Sequence, residues 1–450
     1  MQMLGAILTG MALSMTAAAN TNLRAATFDV DVTPPIGAPL AYGMTEAQWD
    51  LGLRAKGVVL LGAGEPIVLC SIDWIGIANE GYDAFRAALA QGAGTTPDRV
   101  ALQALHQHDA PICDFSTERI LKEHGHAVGR YDGDFPREVL ETLEAAARAS
   151  LDGAVPVTHA GAGEAEVHEV ASNRRLLGED GTVRAMRFTA TRDPELRAEP
   201  EGLIDPMVSV ISLWNEDAPV AVLSYYAVHP QSYYRTGVAN PDFPGVARFL
   251  RQMAVPQALH IHFTGAAGDI GAGKYNDGSH ENRLILAERL ADGMRRAYEA
   301  TERTAISPDD VEWRVASVML PPGEHLDADA FRELLEDESA EEPFFGAATK
   351  LAWLERNKAG IPTELTSLVL GPAQLLHLPA ESFVAYQLAA KELQPDRVVG
   401  VAAYGDYGAA YIGTEEAYAQ GGYETSERAT NVAPSVEGVM MEAIRDLMTP

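Results

Sequence analysis

The sequence predicts an α/β fold in which mixed β-sheets are flanked by helices and packed into a single large domain. Apolar runs rich in β-branched residues alternate along the chain with amphipathic stretches of helical periodicity. No Gly/Ser-rich or Pro-rich linker divides the chain. With 450 residues, of which 47% are hydrophobic, the chain is long enough to bury a large core.

The predicted elements form three groups along the chain. The first has three strands and two helices, at KGVVLLG, PIVLCSID, EGYDAFRAALAQG, RVALQAL and PREVLETLEAAARASL. The second has three strands and a long helix, at MVSVISLWN, APVAVLSYYAVHP, QALHIHFTG and ENRLILAERLADGMRRAYEAT. The third has three strands and a closing helix, at TSLVLG, AQLLHLP, RVVGVAAYG and SVEGVMMEAIRDLM. Before the third group, the acidic segment 325–346 predicts a solvated helix with an exposed loop.

Composition excludes several classes of partner. The chain has 64 acidic and 34 basic residues, a formal net charge of −30. Nucleic acids and anionic membrane surfaces need basic patches, so neither is an expected partner. Apart from the N-terminal segment, no run of about 18 apolar residues is present, so no integral membrane span is expected. The 2 cysteines imply no disulfide framework, and the oligomeric state is left open.

Residues 1–20, MQMLGAILTGMALSMTAAAN, carry no charged side chain and end in small residues. This pattern is typical of the apolar region and cleavage site of a secretory signal peptide, although the usual Lys or Arg at the start is missing. The sequence therefore predicts a secreted or periplasmic protein. The alternative is a loosely packed N-terminal tail on a cytoplasmic protein.

The segment LHQHDAP places two histidines, His106 and His108, directly after the apolar run RVALQA. If that strand continues, side chains two residues apart point to the same face, so both imidazoles face one place. Imidazole is a common metal ligand and a base that titrates near neutral pH. The pair thus indicates a metal site or a proton-transfer pair, and a purely structural role stays open.

Three more candidate residues lie where predicted strands end. His229 follows VLSYYAV and is stopped by Pro230, while Glu381 follows LLHLPA at the start of a predicted helix. Tyr411 lies in a Gly-rich loop after VVGVAA. Glu381 has helix capping as an alternative role, and Tyr411 has ordinary packing with a bonded hydroxyl.

Together, these residues resemble the catalytic domain of the neutral, non-lysosomal ceramidases. The resemblance runs from FDVDVTPPIGAPLAYG through the two histidines to AESF and YIGTEEAYAQGGYE. It implies a ceramidase-like catalytic domain over residues 25–450 and a catalytic zinc bound by His106, His229, Glu381 and Tyr411. In this interpretation, His108 lies beside the metal as a proton-transfer group, and Asp109 orients it.

The resemblance also has departures. Where the family carries G-D-V-S-P-N with a catalytically important serine, this chain reads Gly268-Asp269-Ile270-Gly271-Ala272-Gly273, so Gly271 replaces the serine. The immunoglobulin-like domain that follows in the family has no expected counterpart within the 450 residues. A substrate smaller and more polar than ceramide is therefore expected.

Further side chains are assigned roles near the predicted zinc. Asn173 and Arg174 in ASNRRLLG resemble an N-R segment near the family's substrate pocket. Arg174 is a candidate for holding an oxyanion or carboxylate, with pairing to surface acids as the alternative. Asp269, in the segment where the family carries its serine, is a further candidate catalytic residue. Lys274 and Asn276 are candidate substrate contacts, with an ordinary Gly-rich loop as the alternative.

The sequence thus predicts a zinc-dependent hydrolase that attacks an amide (or ester) bond of a small molecule with a zinc-bound water. Two alternatives stay open. One is a noncatalytic, metal-stabilised binding protein, and the other is a hydrolase of phosphate or glycosidic bonds on the same scaffold. The sequence contains no Gly-x-Ser-x-Gly elbow and no P-loop, which removes commoner classes.

Overall fold

Three β-sheets and the helices around them make up the described structure, which is a computed structural model covering residues 22–337 and 344–449. The predicted signal segment, residues 1–20, lies outside the described residues. The helices of the described residues are Asn79–Ala93, Phe115–Glu123, Asp134–Ser150, Pro194–Ala198, Asp242–Ala254, Glu281–Glu299, Ala328–Glu336, Phe344–Lys358, Val384–Glu392, Glu415–Gln420 and Val436–Met448. Short 3₁₀ turns lie at Pro97–Arg99, Gly129–Tyr131, Leu151–Gly153, Pro308–Asp310 and Tyr407–Ala409.

The three large sheets correspond to the three predicted groups of strands. The N-terminal sheet has the strand order Val155–Pro156, Arg24–Asp31, Arg54–Leu61, Ile67–Ile72 and Val100–Ala104. The central sheet has the order Leu259–Thr264, Ala218–Tyr226, Met207–Asn215, His159–Glu166 and Glu302–Ala305. The C-terminal sheet has the order Val311–Val318, Thr363–Leu370, Ala373–His377 and Val398–Ala402. The predicted fold class, mixed sheets flanked by helices, is confirmed.

Two-stranded pairings connect the loops around these sheets. They are Pro39–Leu40 with Gly43–Met44, Ala47–Gln48 with Val238–Ala239, Gly76–Ala78 with Ile112–Asp114, Ser172–Asn173 with Ile270–Gly271, Arg175–Leu177 with Val183–Met186, and Glu381–Ser382 with Tyr411–Ile412. The last of these pairings brings two predicted metal ligands, Glu381 and Tyr411, next to each other.

The sheets pack against one another through a shared apolar core. Val58 and Leu60 of the N-terminal sheet, Ile211 of the central sheet, and Leu368 and Leu375 of the C-terminal sheet belong to one buried cluster. The alternate residues of the same strands face helices, because successive side chains of a strand point to opposite sides. The inner strands Arg54–Leu61, Met207–Asn215 and Thr363–Leu370 are therefore buried on both faces.

The acidic segment 325–346 is only partly as predicted. A helix does form at Ala328–Glu336, but Leu335 is buried against Leu351 and its neighbours rather than solvated on all sides. Residues 338–343 lie outside the described part, and a second helix begins at Phe344. Among residues 22–337 and 344–449, no helix combines the length and hydrophobicity needed to cross a bilayer.

The buried His377 predicts a measurable pH dependence of stability. Burial lowers the pKa of His377 to about 3, whereas an unfolded histidine titrates near about 6.5. Between these values the unfolded chain binds a proton that the folded chain does not, so the folded state is destabilised as pH falls. His377→Gln is expected to reduce the slope of unfolding free energy against pH between pH 6.5 and 4.5 by about 1.4 kcal/mol per pH unit.

Urea denaturation at several pH values in this window measures the slope. The matched control is His168→Gln, which removes an imidazole whose side chain is 65% exposed. Equal slopes for the two variants would show that His377 is not the source of the pH dependence.

Candidate active site

Three pairs of parallel strands, one in each large sheet, end in the same region. The pairs are Ile67–Ile72 with Val100–Ala104, Ala218–Tyr226 with Leu259–Thr264, and Ala373–His377 with Val398–Ala402. His106 follows the first pair, His229 follows a strand of the second, and Glu381 and Tyr411 follow the two strands of the third. The predicted metal ligands therefore all come from the carboxyl ends of parallel strands, where α/β proteins commonly bind ligands.

Hydrogen bonds between different sheets hold these strand ends together. The Ala104 amide donates to the Tyr404 carbonyl, and the Ala403 amide donates to the Thr264 carbonyl, both at 2.9 Å. The Thr264 hydroxyl donates to the Leu105 carbonyl at 2.8 Å. Each bond joins two of the three sheets, so the strand ends are fixed relative to one another.

Left-handed backbone at non-glycine residues is concentrated here. His106 has φ 73°, Ala380 has φ 49°, Tyr404 has φ 63° and Ala410 has φ 55°. Such conformations cost about 1–3 kcal/mol each and cluster at functional sites. Ala380 and Ala410 directly precede Glu381 and Tyr411, so the unusual backbone positions the predicted ligands.

The backbone at His106 differs from the extended strand that was predicted to bring His106 and His108 to the same face. The strand ends at Ala104, and the chain turns at His106 instead of continuing as extended backbone. His106 and His108 nevertheless lie near each other, with ring centroids 5.3 Å apart. The turn is held by backbone bonds from Leu105 to Ile72 and from His106 to Trp74, at 2.8 and 2.9 Å.

Three of the predicted ligands have the spacing of a metal site. The His106 and His229 Nε2 atoms are 3.1 Å apart, and the Glu381 Oε2 atom lies 3.4 Å from the first and 3.7 Å from the second. Zinc with bonds of about 2.1 Å and tetrahedral angles requires ligand atoms about 3.4 Å apart. The donor set, two imidazoles and a carboxylate, also fits zinc in kind.

The other ring nitrogens of the two histidines fix their tautomers. His106 Nδ1 lies 2.5 Å from the Ile75 carbonyl, and His229 Nδ1 lies 3.3 Å from the Ala267 carbonyl. A carbonyl only accepts, so each Nδ1 is assigned the hydrogen and each Nε2 then presents a lone pair. The Tyr404 hydroxyl, 3.4 Å from His229 Nδ1, can accept from the same hydrogen. Two lone pairs that face each other at 3.1 Å favour a cation between them.

Glu381 is buried, with one oxygen bonded and the other without a partner. Tyr407 donates its hydroxyl hydrogen to Oε1 at 2.5 Å, whereas Oε2 has no hydrogen-bond partner among the described residues. Burial opposes ionisation, but interactions with His106, Tyr407 and Arg174 outweigh it and lower the pKa of Glu381. The ionised Oε2 thus faces the two imidazoles as an unpaired acceptor. Helix capping does not explain Glu381, because the helix begins at Val384.

His108 adds a third imidazole to the site. One ring nitrogen from each of His106, His108 and His229 lies within 4.8 Å of the other two, so His108 is an alternative ligand to Glu381. Burial is the main cause that lowers its pKa well below the usual value, and the positive charge of Arg174 adds to the effect. The Gln231 amide nitrogen lies 3.0 Å from its Nδ1, and Nε2 has no hydrogen-bond partner.

Among the described residues, Asp109 hydrogen-bonds the loop after His229 and not the His108 ring, which does not support its predicted orienting role. Its carboxylate accepts the backbone amide of Arg235 at 2.7 Å and the hydroxyl of Thr236 at 2.6 Å. Asp109 therefore fixes the loop after His229. Gln231 and the stacked ring of Tyr42, 5.3 Å from the imidazole between centroids, take the place that was predicted for it.

Tyr411 is in register with Glu381 in a short parallel pairing. Its hydroxyl oxygen lies 3.4 Å from Arg174 Nη1, and burial raises its pKa well above the usual value. Arg174 also pairs with the buried Glu424 at 3.1 Å, so pairing with surface acids is wrong. A Cβ at Gly271 would lie 3.3 Å from Arg174 Cγ, which places the arginine stem over the residue that replaces the family serine.

The predicted substrate contacts Lys274 and Asn276 bind the protein's own backbone. The Lys274 amino group donates to the carbonyls of Arg197 and Glu199, the first at 3.0 Å. The Asn276 amide donates to two carbonyls at 2.7 Å and is fully buried. Neither side chain lines the cavity described below, so the alternative of a structural loop fits better.

Asn173 and Asp269 form a pair behind the site. Asn173 Nδ2 donates to Asp269 Oδ2 at 2.9 Å, and Asp269 Oδ1 accepts the Val384 amide at 2.9 Å. Burial raises the pKa of Asp269 to about 6. Since Val384 begins the helix after Glu381, this pair positions the segment that carries the carboxylate, and neither residue lines the cavity that contains the histidines.

The histidines and Glu381 lie at the base of a cavity of about 590 Å³, a size typical of small-molecule sites. Its other lining side chains include aromatic residues that the sequence analysis missed: Tyr42, Phe188, Tyr234, Tyr407 and Tyr423. Tyr404 was also missed and stacks on His106 with centroids 4.2 Å apart. The repeated tyrosines of YGDYGAAY, directly after a strand, were the available signal for Tyr404 and Tyr407.

No protein-family model matches the sequence, and no curated protein matches it. The fold is similar to that of solved structures, among them the following two. A neutral ceramidase from Pseudomonas aeruginosa has a TM-score of 0.67 and 16% sequence identity, with 95% of this chain and 74% of that chain covered. A ceramidase complexed with C2 has a TM-score of 0.65 and 16% identity, with 95% and 75% covered. The chain therefore has a ceramidase-like fold, as the resemblance in sequence implied.

Proposed function

We propose that this protein is a zinc-dependent hydrolase of amide bonds in small molecules. The observation that carries the proposal is the arrangement of His106, His229 and Glu381, with two lone pairs and an unpaired carboxylate oxygen converging on one point at the base of a cavity. Calcium and magnesium prefer oxygen ligands, so the two imidazoles favour zinc. The ceramidase-like fold supports an amide as the bond that is cleaved.

Each residue of the site has a definite task in this proposal. His106, His229 and Glu381 would hold the ion, with Tyr411 as the fourth protein ligand. When bound, zinc polarises the scissile carbonyl and makes a water molecule more acidic. Arg174 presents a buried cation beside Tyr411, 3.4 Å from its hydroxyl oxygen. Positive charge at this position stabilises an oxygen that becomes negative as the carbonyl is attacked.

His108 is the group that exchanges a proton with the substrate. Because the Gln231 amide nitrogen can only donate to Nδ1, Nε2 carries a hydrogen that no protein group accepts. It can be donated to the leaving nitrogen. Rotation of the Gln231 amide by 180° reverses both roles and makes Nε2 an acceptor, so this pair of side chains can serve both directions of proton transfer.

A metal analysis followed by a substrate panel tests the proposal. We expect about one zinc per chain in purified protein, turnover of small polar amides, and loss of turnover on chelation with recovery on addition of zinc. Esters test the breadth of the reaction, and long-chain ceramide is expected to be a poor substrate. Bound zinc without turnover of any amide or ester would favour the noncatalytic binding protein, and turnover in metal-free protein would contradict the mechanism.

A further inference from the structure

Two arginines flank the cavity, one as a lining residue and one over two rings that line it. Arg428 is exposed and lines the cavity together with Tyr423. The guanidinium of Arg235 lies 5.5 Å from the ring centroid of Tyr42 and 5.3 Å from that of Tyr234, both of which line the cavity. Within residues 22–337 and 344–449, neither guanidinium has an ion pair or a hydrogen bond.

This concentration of positive charge contrasts with the rest of the chain, whose formal net charge is −30. The described residues that line the cavity include one acidic side chain, Glu381, and two basic ones, Arg174 and Arg428. The net negative charge of the protein repels anions from most of its surface. The positive charge beside the cavity attracts anions locally, so anionic molecules are favoured at the cavity.

Arg235 is held in place at its backbone. The carboxylate of Asp109 accepts the Arg235 amide at 2.7 Å and the Thr236 amide at 3.3 Å. The same aspartate directly follows His108 in sequence, so the loop that carries the arginine is tied to the segment that carries two of the histidines. The ordinary alternative, a solvated surface arginine, does not account for this fixed position over two cavity-lining rings.

We propose that Arg235 and Arg428 select amide substrates that carry a negative charge, in the form of a carboxylate, on the part that extends to the cavity mouth. The inference rests on the proposed function and adds the substrate class to it. A guanidinium binds a carboxylate through charge-assisted, often paired hydrogen bonds. Tyr42 and Tyr234 offer flat apolar surface to the neighbouring part of the substrate.

Two matched substrates test the selection. N-acetyl-L-phenylalanine and N-acetyl-2-phenylethylamine share the acetamide and the phenyl ring and differ by one carboxylate. We expect kcat/KM to be higher for the carboxylate by about a hundredfold, mainly through KM. Arg235→Gln and Arg428→Gln should each reduce this preference about tenfold, and the double variant about a hundredfold. Arg235→Lys should retain part of it.

The control variant is Arg303→Gln. Arg303 is also an exposed arginine over an aromatic ring, with its guanidinium 4.8 Å from the Trp214 ring centroid. Unlike Tyr42 and Tyr234 under Arg235, the Trp214 ring does not line the cavity. Its substitution should leave the preference unchanged. Equal kcat/KM for the two substrates, or an unchanged preference in the double variant, would overturn the inference while the proposed hydrolase stands.

Binding decides the case in which neither substrate is hydrolysed. Calorimetry with N-acetyl-L-phenylalanine, with its neutral analogue and with inorganic phosphate then compares the protein and the double variant at low and high salt. Tighter, salt-sensitive binding of the carboxylate that is lost in the double variant would support the arginine site even if the hydrolase proposal fails. Equally strong binding of phosphate would support the site and extend the class to phosphates. No preference over the neutral analogue would overturn the inference.

Discussion

His106→Ala is expected to remove zinc binding and to reduce kcat on an amide substrate by about a thousandfold or more. The imidazole supplies one of three ligand atoms that lie within 3.7 Å of each other, and a catalytic zinc needs three protein ligands. Metal stabilisation of the transition state contributes several kcal/mol, and about 4 kcal/mol corresponds to a thousandfold in rate. Zinc content and kcat are measured on the same preparation.

His262→Ala is the matched control for this variant. His262 is equally buried and hydrogen-bonds Ser224 at 2.9 Å, but it does not line the cavity. Its removal leaves a comparable void in the core, so zinc content and turnover per folded molecule should stay near the parent level. Full zinc occupancy and undiminished turnover in His106→Ala would contradict the assignment of the metal site.

Asp73→Ala is expected to lower the free energy of unfolding by about 3–5 kcal/mol, because it leaves the Arg248 guanidinium buried without its counter-ion. The two terminal nitrogens of the Arg248 guanidinium, Nη1 and Nη2, donate to Asp73 Oδ1 and Oδ2, each at 2.7 Å. The side chains are 4% and 0% exposed. The pair therefore carries a large cost if only one partner is removed. Guanidinium chloride denaturation measures the loss.

Two comparisons make this prediction specific. Asp217→Ala breaks an exposed pair with Arg303 at 3.1 Å and should change stability by less than about 1 kcal/mol. Combining Asp73→Ala with Arg248→Met removes both charges and should recover much of the lost stability. A loss of under about 1 kcal/mol in Asp73→Ala alone would show that the pair contributes little.

The same substitution should also affect the site. The residues on either side of Asp73, Ile72 and Trp74, accept the backbone amides of Leu105 and His106. The Asp73 carbonyl itself accepts the Gln107 side-chain amide. Loss of the ion pair is thus expected to loosen the turn that presents His106, and turnover should fall by more than the folded fraction does.

Much of the fold could be predicted from the sequence, because buried strands and helices carry their own hydrophobic periods. RVALQA became the strand Val100–Ala104, and SVEGVMMEAIRDLM became the helix Val436–Met448. The positions of His229 and Glu381 after strands were predictable for the same reason. The expectation that His229 and Glu381 lie close to His106 came from the family resemblance and not from the hydrophobic periodicity.

The contacts of polar side chains could not be predicted in this way. Nothing in the local pattern indicates that Asp109 binds the loop at Arg235, or that the Asn276 amide binds two backbone carbonyls. Such partners are set by how distant segments pack, and a polar residue in a loop looks the same whether it faces a ligand or the backbone. The left-handed turn at His106 was not predicted because only a few per cent of non-glycine residues adopt this conformation, and no local pattern marks which of them do.

The parallel strand pairs have a consequence for how the protein folds. Because each pair belongs to a different sheet, the candidate ligands come together only after three separately built sheets have docked. Contacts between residues this far apart in sequence form slowly, because the chain loses the entropy of closing a long loop before the new contacts stabilise it. Zinc uptake during refolding should therefore lag behind the recovery of secondary structure and report the last assembly step of the chain.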